Sequence, residues 1–373
     1  MSPNDPHTTD PCHSCAFCHP EFCSGQTRLW GCGSICNFLC DKSICDYTCP
    51  CRPSEFSGRW REVGGLNLVQ SPSLLPPTVT DWPSYLPLIQ HGSRFEHLFD
   101  APFAAIPTFR ALATSKKKQL DAEGLRRRFK LREATKILAV SVARDPPLEL
   151  YWRYRNVFDL PHRMADWGIA AVTVPNFSYF TDAPPLHTHW NFRRMLLVAE
   201  EFSKAGVAVI PHVNTLEHVH RAAWAKVLRA QPQLKFVAKE FQTGAKYQSV
   251  AREAFEDLCR LQDEVGFALH PLVIGGARMW TQLKSKFDSY TVVDSQPFMQ
   301  TVKRQEILTS LDGIVRHRPH PLLPGTPLDS LWQTNMRGYT DTLRNREAPR
   351  SRFDAPISAI SADSLEAAFE ISF

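Results

Sequence analysis

Residues 267–295 read FALHPLVIGGARMWTQLKSKFDSYTVVDS: two short runs rich in β-branched and apolar residues, separated by a segment of helical spacing. Gly275-Gly276 closes the first run and Asp294-Ser295 the second, so both end in turn-forming chemistry. Strand, crossover helix and strand in that order describe a βα unit with parallel strands. The same unit recurs toward the N-terminus at KILAVSVA (136–143), IAAVTVPNF (169–177), VAVIPHV (207–213) and LKFVAKEF (234–241). Met195, Val198, Ala199 and Phe202 recur at i, i+3, i+4 and i+7, as do Ala251, Ala254, Phe255 and Leu258, giving two crossover helices one apolar face each. Weaker apolar runs at 86–90 and 102–107 supply two further strands. The expected class is α/β, a (β/α)8 TIM-like barrel over 86–315, with a doubly wound open sheet as the alternative. Neither GxGxxG nor GxxxxGK[ST] follows a strand, which disfavours the dinucleotide-binding and P-loop forms of the open sheet.

The flanks differ in composition. Residues 53–85 are rich in Pro and Ser and read as a linker, and 316–373 as a Pro- and Arg-rich C-terminal extension. A chain of 373 residues with 43% hydrophobic content has material for a barrel-sized core, which excludes a wholly disordered protein. Its longest apolar runs are too short to span a bilayer, and MSPNDPHTTDPCHSC has no apolar signal core, so a cytoplasmic protein without a membrane partner is expected.

Residues 1–52 form the second asymmetry. Ten of the eleven cysteines lie there: Cys12, Cys15, Cys18, Cys23, Cys32, Cys36, Cys40, Cys45, Cys49 and Cys51. In a reducing compartment such density points to metal ligation rather than disulfides. CHSCAFC sets three sulfurs at two-residue intervals, and Cys23 closes a tetrahedral set suited to Zn2+. Cys32, Cys36 and Cys40 fall along one side of a helix, where an iron–sulfur cluster is the alternative. A module this short and poor in large aliphatics needs ligation to fold, so the metal is expected to be structural.

In a parallel barrel the chemistry gathers at the carboxyl ends of the strands. Reading those ends gives Asn176 and Phe177, His212, Lys239 beside Glu240, His270 with Gly275 and Gly276, and Asp294. Asp294 follows a buried strand directly, so its surroundings can tune it as a nucleophile; the alternative is the N-cap of the next helix. Gly275 and Gly276 admit either a close-lying substrate base or a plain tight turn. Lys239 and Glu240 alternate, so only one faces inward. His187-Thr-His189 and His218-Val-His220 have the HxH spacing of metal-dependent barrel hydrolases, but both pairs read as helix starts, where i and i+2 diverge.

HPLVIGGARMWTQLKSKFDSYTVVDSQPFMQTVKR (270–304) resembles the late strands of tRNA-guanine transglycosylases and their DNA-acting relatives from 7-deazaguanine modification systems. In that family a glycine turn precedes a strand that ends on the nucleophilic aspartate. The resemblance implies that Asp294 is that nucleophile and Gly275-Gly276 that turn, with Asp182 in NFSYFTD a positional candidate for a second catalytic acid; the alternative for Asp182 is the cap of a helix opening at Ala183-Pro184-Pro185. Two features differ: no DSG-like motif occurs, and the cysteines precede the barrel instead of following it.

Between Arg110 and Lys136 stand ten basic residues against three acids, which leaves the rest of the chain slightly acidic. Lys116, Lys117, Lys118, Arg126, Arg127 and Arg128 from this segment suit phosphate binding without sequence readout. The expected function is therefore a base glycosylase or transglycosylase on nucleic acid, DNA favoured, with a free 7-deazaguanine as a possible second substrate. The alternatives are a non-enzymatic nucleic-acid-binding protein with a zinc module and a metal-dependent barrel hydrolase.

Overall fold

The computed structural model describes Thr48 and residues 53–65, 72–112, 120–179, 183, 185–216, 218–242, 248–310 and 313–346. The ten N-terminal cysteines, Lys116 to Lys118 and Asp182 lie outside the described residues. The chain is a mixed α/β structure built on parallel sheets. Its parallel strands are β1 (Tyr85–Pro87), β2 (Phe103–Pro107), β3 (Lys136–Val140), β4 (Ala171–Thr173), β5 (Val209–Ile210), β6 (Phe236–Glu240), β7 (His270–Ile274) and β8 (Thr291–Asp294).

Two four-stranded sheets result, ordered β1-β8-β7-β6 and β2-β3-β4-β5. Isolated parallel bridges join them at both margins, Leu88 to Ala105 and His212 to Ala238. The amide of Ile89 donates to the Ala105 carbonyl at 2.8 Å, and that of Val213 to the Ala238 carbonyl at 2.9 Å. Alternation along the strands then separates two cores. Leu86, Ala105, Leu138, Val140, Ala171, Ile210, Phe236, Ala238, Leu272, Ile274 and Val293 form a cluster drawn from all eight strands and from no helix. The intervening residues, among them Ile137, Ala139, Val172, Val209, Val237, Val273 and Val292, pack in the larger cluster with the helices.

The helices among the described residues are α1 (Pro53–Glu62), α2 (Thr108–Ala111), α3 (Ala122–Phe129), α4 (Asp145–Tyr154), α5 (Leu160–Ala165), α6 (Pro185–Lys204), α7 (His218–Arg229), α8 (Gln248–Val265), α9 (Trp280–Lys286), α10 (Gln296–Val302) and α11 (Asp329–Arg344). Asp121 caps α3 by accepting the Gly124 amide at 2.6 Å, and α4 carries proline in its first turn, where no intrahelical donor is lost. Met195, Val198, Ala199 and Phe202 of α6 are all buried, as are Ala251, Phe255 and Leu258 of α8. None of the helices among the described residues is long and apolar enough to cross a membrane.

Two expected boundaries need correction. The stretch 53–85 is not all linker: it contains α1, whose Trp60 is buried and whose Arg59 carbonyl accepts the Trp190 indole N–H at 3.1 Å. A boundary at 315/316 would cut a hairpin, because β10 (Arg316–Pro319) pairs antiparallel with β9 (Gln305–Leu308). The helix after it, α11, lies on β9: Asn335 Oδ1 accepts the Ile307 amide at 2.6 Å. Apolar spacing predicts helices but not which of them dock.

Candidate functional site

Asp294 ends β8, as the sequence predicts, beside the turn that follows β7; the Gly275 amide donates to the Val293 carbonyl at 2.8 Å. Val293 belongs to the strand-only cluster, so alternation turns Asp294 toward the helix side. Its Oδ1 accepts the Gln296 amide at 2.7 Å, an Asx turn opening α10, and its Oδ2 accepts the Tyr339 hydroxyl at 3.0 Å. Tyr85 donates its hydroxyl to the Asp294 carbonyl at 3.3 Å. The carboxylate is only half-buried yet crowded by protein atoms. Burial pushes its pKa above the ordinary value; the Gln296 amide, the Tyr339 hydroxyl and the Arg346 charge oppose that shift. Both readings of Asp294 thus have a physical counterpart, a tuned carboxylate and a helix-opening turn.

The inner face at the carboxyl ends carries other groups. His212 continues the inward series Ala208, Ile210, and its side chain is fully enclosed at 0% exposure. Neither ring nitrogen has a hydrogen-bond partner among the described residues, and burial with the nearby Lys239 charge lowers its pKa to about 3. Asn214 donates Nδ2 to Asn176 Oδ1 at 2.6 Å and to the Phe177 carbonyl at 3.2 Å, which ties the ends of β4 and β5 together. Of the Lys239–Glu240 pair it is Glu240 that shares the inner side with Ala238.

Five of the expected substrate residues are engaged by the protein itself. Lys239 turns to the helix side and donates Nζ to the Val213 carbonyl at 3.0 Å and Thr215 Oγ1 at 3.1 Å; burial lowers its pKa to about 8, with Asp257 opposing. His270 opens β7 rather than ending it and so stands at the amino end, its ring nitrogens against Ser289 Oγ and Thr291 Oγ1 at 2.9 Å each. Phe177 is buried beneath the guanidinium of Arg194 and offers no face to a base. Gly275 has φ +71, and a Cβ there would run into Gln242, while one on Gly276 would run into Val273. The glycines let Gln242 and Val273 lie close against the backbone of this turn.

The basic segment is partly spent on the fold. Arg126 donates to the carbonyls of Arg132 and Thr135 at 2.7 and 3.1 Å, and Arg127 pairs with Glu123 at 3.1 Å; Arg128 is exposed. Both HxH pairs lie on helices and diverge. His187 accepts the Thr48 amide at 3.1 Å, whereas His189 packs its ring on His220 at 5.5 Å. Among the described residues there is no group of three or more His, Cys, Asp or Glu able to hold a metal ion.

Sequence reading missed Tyr85, Tyr339 and Arg346. No short-range signal marks them, because they reach Asp294 from β1 and from the C-terminal helix. No protein-family model matches the chain, and no curated protein matches it.

Proposed function

We propose that the chain is a nucleic-acid base glycosylase or transglycosylase, acting on DNA in preference to RNA, on a (β/α)8-type barrel with Asp294 as nucleophile. What supports the barrel is the pairing order: the two sheets meet at Leu88–Ala105 and His212–Ala238, and one cluster takes side chains from all eight strands. What carries the catalytic reading is Asp294 itself, a half-buried carboxylate at the end of β8 whose protonation is set by burial against Tyr339 and Arg346. In this reading a carboxylate oxygen forms a bond to C1′ of an extruded nucleotide as the C1′–N bond breaks through an oxocarbenium-like state. The bonding pair leaves with the base, which takes a proton. Attack at C1′ by water then completes excision; attack by a free 7-deazaguanine completes exchange. In this reading C1′ meets the carboxylate at the carboxyl rim, where the Gln296 amide and the Tyr339 hydroxyl hold it. The N-terminal cysteines are proposed to hold Zn2+ as a fold-stabilising ion, and the compartment is proposed to be the cytoplasm.

One observation favours a second reading. Both oxygens of Asp294 already accept hydrogen bonds within the protein, on the helix side of the strands. A non-enzymatic nucleic-acid-binding protein would need nothing more from this residue. Full-length protein and its Asp294→Asn variant, incubated with modified and unmodified duplexes with and without free 7-deazaguanine, separate the two. Base release or incorporation by the native chain alone supports catalysis. Binding by both without release favours the second reading, and release by both removes Asp294 from the chemistry.

A further inference from the structure

Asp294 is held from outside its own sheet. Tyr339, whose hydroxyl reaches Oδ2 at 3.0 Å, belongs to α11. Its buried ring meets that of Tyr85 edge-on, with centroids 5.3 Å apart. The height of α11 is fixed by its contact with β9: Gly338 sits so close that a Cβ there would lie 2.6 Å from the Ile307 carbonyl oxygen. Arg346, just beyond the helix, donates Nε to the Gly313 carbonyl at 2.9 Å and another N–H to the Ala277 carbonyl, beside the glycine turn after β7. The segment that composition sets apart as an appendage therefore delivers a hydroxyl and a cation to the end of β8.

We propose that Tyr339 is the positioning residue of the Asp294 carboxylate, its hydroxyl keeping that group in one orientation and in its ionised form. This deepens the reading of Asp294 as nucleophile and rests on it. A carboxylate crowded by protein tends to take a proton and lose its nucleophilicity. The charged and titratable groups facing it are Tyr85 from β1, Tyr339 from α11 and Arg346 after α11, with the Ser295 and Gln296 amides from its own turn. Of the described side chains, only Tyr339 donates directly to a carboxylate oxygen; Arg346 acts at longer range, and Tyr85 donates to the main chain. Phenylalanine at 339 keeps the ring on Tyr85 and removes that donor alone.

The test uses the full chain labelled with [13C-carboxyl]aspartate, the Asp294 signal being assigned by Asp294→Asn. In Tyr339→Phe the titration midpoint of this signal is expected to move to higher pH, while Tyr85→Phe leaves it in place. With a substrate that releases base, kcat of Tyr339→Phe is expected to fall about ten-fold on the acid side with KM unchanged, the loss of one charge-assisted hydrogen bond, and to recover as pH rises. Arg346→Gln, which keeps the tyrosine, is expected to move the midpoint in the same direction and serves if Tyr339→Phe does not fold. An unmoved midpoint in the variants overturns the proposal, as does a moved midpoint with unaltered acid-side kcat. Absence of base release from the native chain would defeat the nucleophile reading, while the carboxyl titration still decides whether Tyr339 holds the charge.

Discussion

The guanidinium carbon of Arg194 stands 3.9 Å from the ring centroid of Phe177, with Trp190 on it at 3.8 Å. Its fork binds both oxygens of Glu149 at 2.7 and 2.9 Å, and Nε reaches Asn191 Oδ1 at 3.1 Å. The Arg194 side chain is 2% exposed, so one cation between aromatic faces organises the space under α4 and α6. Replacing it with alanine opens a hole between the rings and strands Asn191. Arg194→Ala is expected to cost about 3 kcal/mol, seen as a lower urea midpoint at unchanged slope. Arg194→Lys recovers little, because an ammonium cannot stack on two faces and grip a carboxylate as a fork. A loss well under about 1 kcal/mol for the alanine variant would mean that the rings collapse onto one another without strain.

Five buried histidines make the fold sensitive to mild acid. Burial is the leading cause in each: His187, His189 and His212 fall to about 3, His220 and His270 to about 4, against 6.5 when unfolded. The native state holds these rings neutral, so the unfolded chain binds more protons below pH 6.5. Their stabilisation is complete above that value and is lost as pH falls from it toward the native values. Each ring contributes at most about 1.4 kcal/mol per pH unit in that window. Urea midpoints are expected to decline steadily between pH 7.5 and 5. A flat profile would show that solvent reaches the rings in the native state.

What the sequence shows best is what repeats locally. Short apolar runs such as KILAV and HPLVI found their strands, and the spacing of Met195, Val198, Ala199 and Phe202 found the buried face of α6. Even the weak runs at 86–90 and 102–107 became β1 and β2. Direction was harder. His270 and Gly275 share one apolar run, and only the strand's polarity separates the amino end from the carboxyl end. Lys239 and Glu240 were known to alternate, but which one faces inward depends on where Phe236 and Ala238 pack. Tyr339 reaches Asp294 across 45 residues of chain, and nothing in either segment announces that contact.

His212 offers a separation of stability from function. Two enclosed ring nitrogens without partners among the described residues lower stability, each by about 1 kcal/mol or more, compared with an apolar side chain of like shape. His212→Phe keeps a flat ring and discards both nitrogens. Its thermal midpoint is expected to equal or exceed that of the native chain, while any base-dependent stabilisation by free 7-deazaguanine is expected to vanish if this inward face receives the base. A clear loss of stability in His212→Phe would show instead that the imidazole is packed too tightly for the larger ring.

Gly275 separates two penalties that usually come together. Its φ of +71 is one that a residue with a Cβ adopts at a cost of about 1 kcal/mol, and the same Cβ would collide with the side chain of Gln242 after β6. Gly275→Ala is therefore expected to lower stability by about 2–3 kcal/mol. Adding Gln242→Ala removes the collision and leaves the backbone strain, so the double variant is expected to recover roughly half of the loss. Gln242 is itself exposed, and Gln242→Ala alone is expected to lie within about 0.5 kcal/mol of the native chain. Urea midpoints of the three variants complete the cycle. Strict additivity, with no recovery in the double variant, would place the whole requirement for glycine in the backbone conformation and none of it in the neighbouring loop.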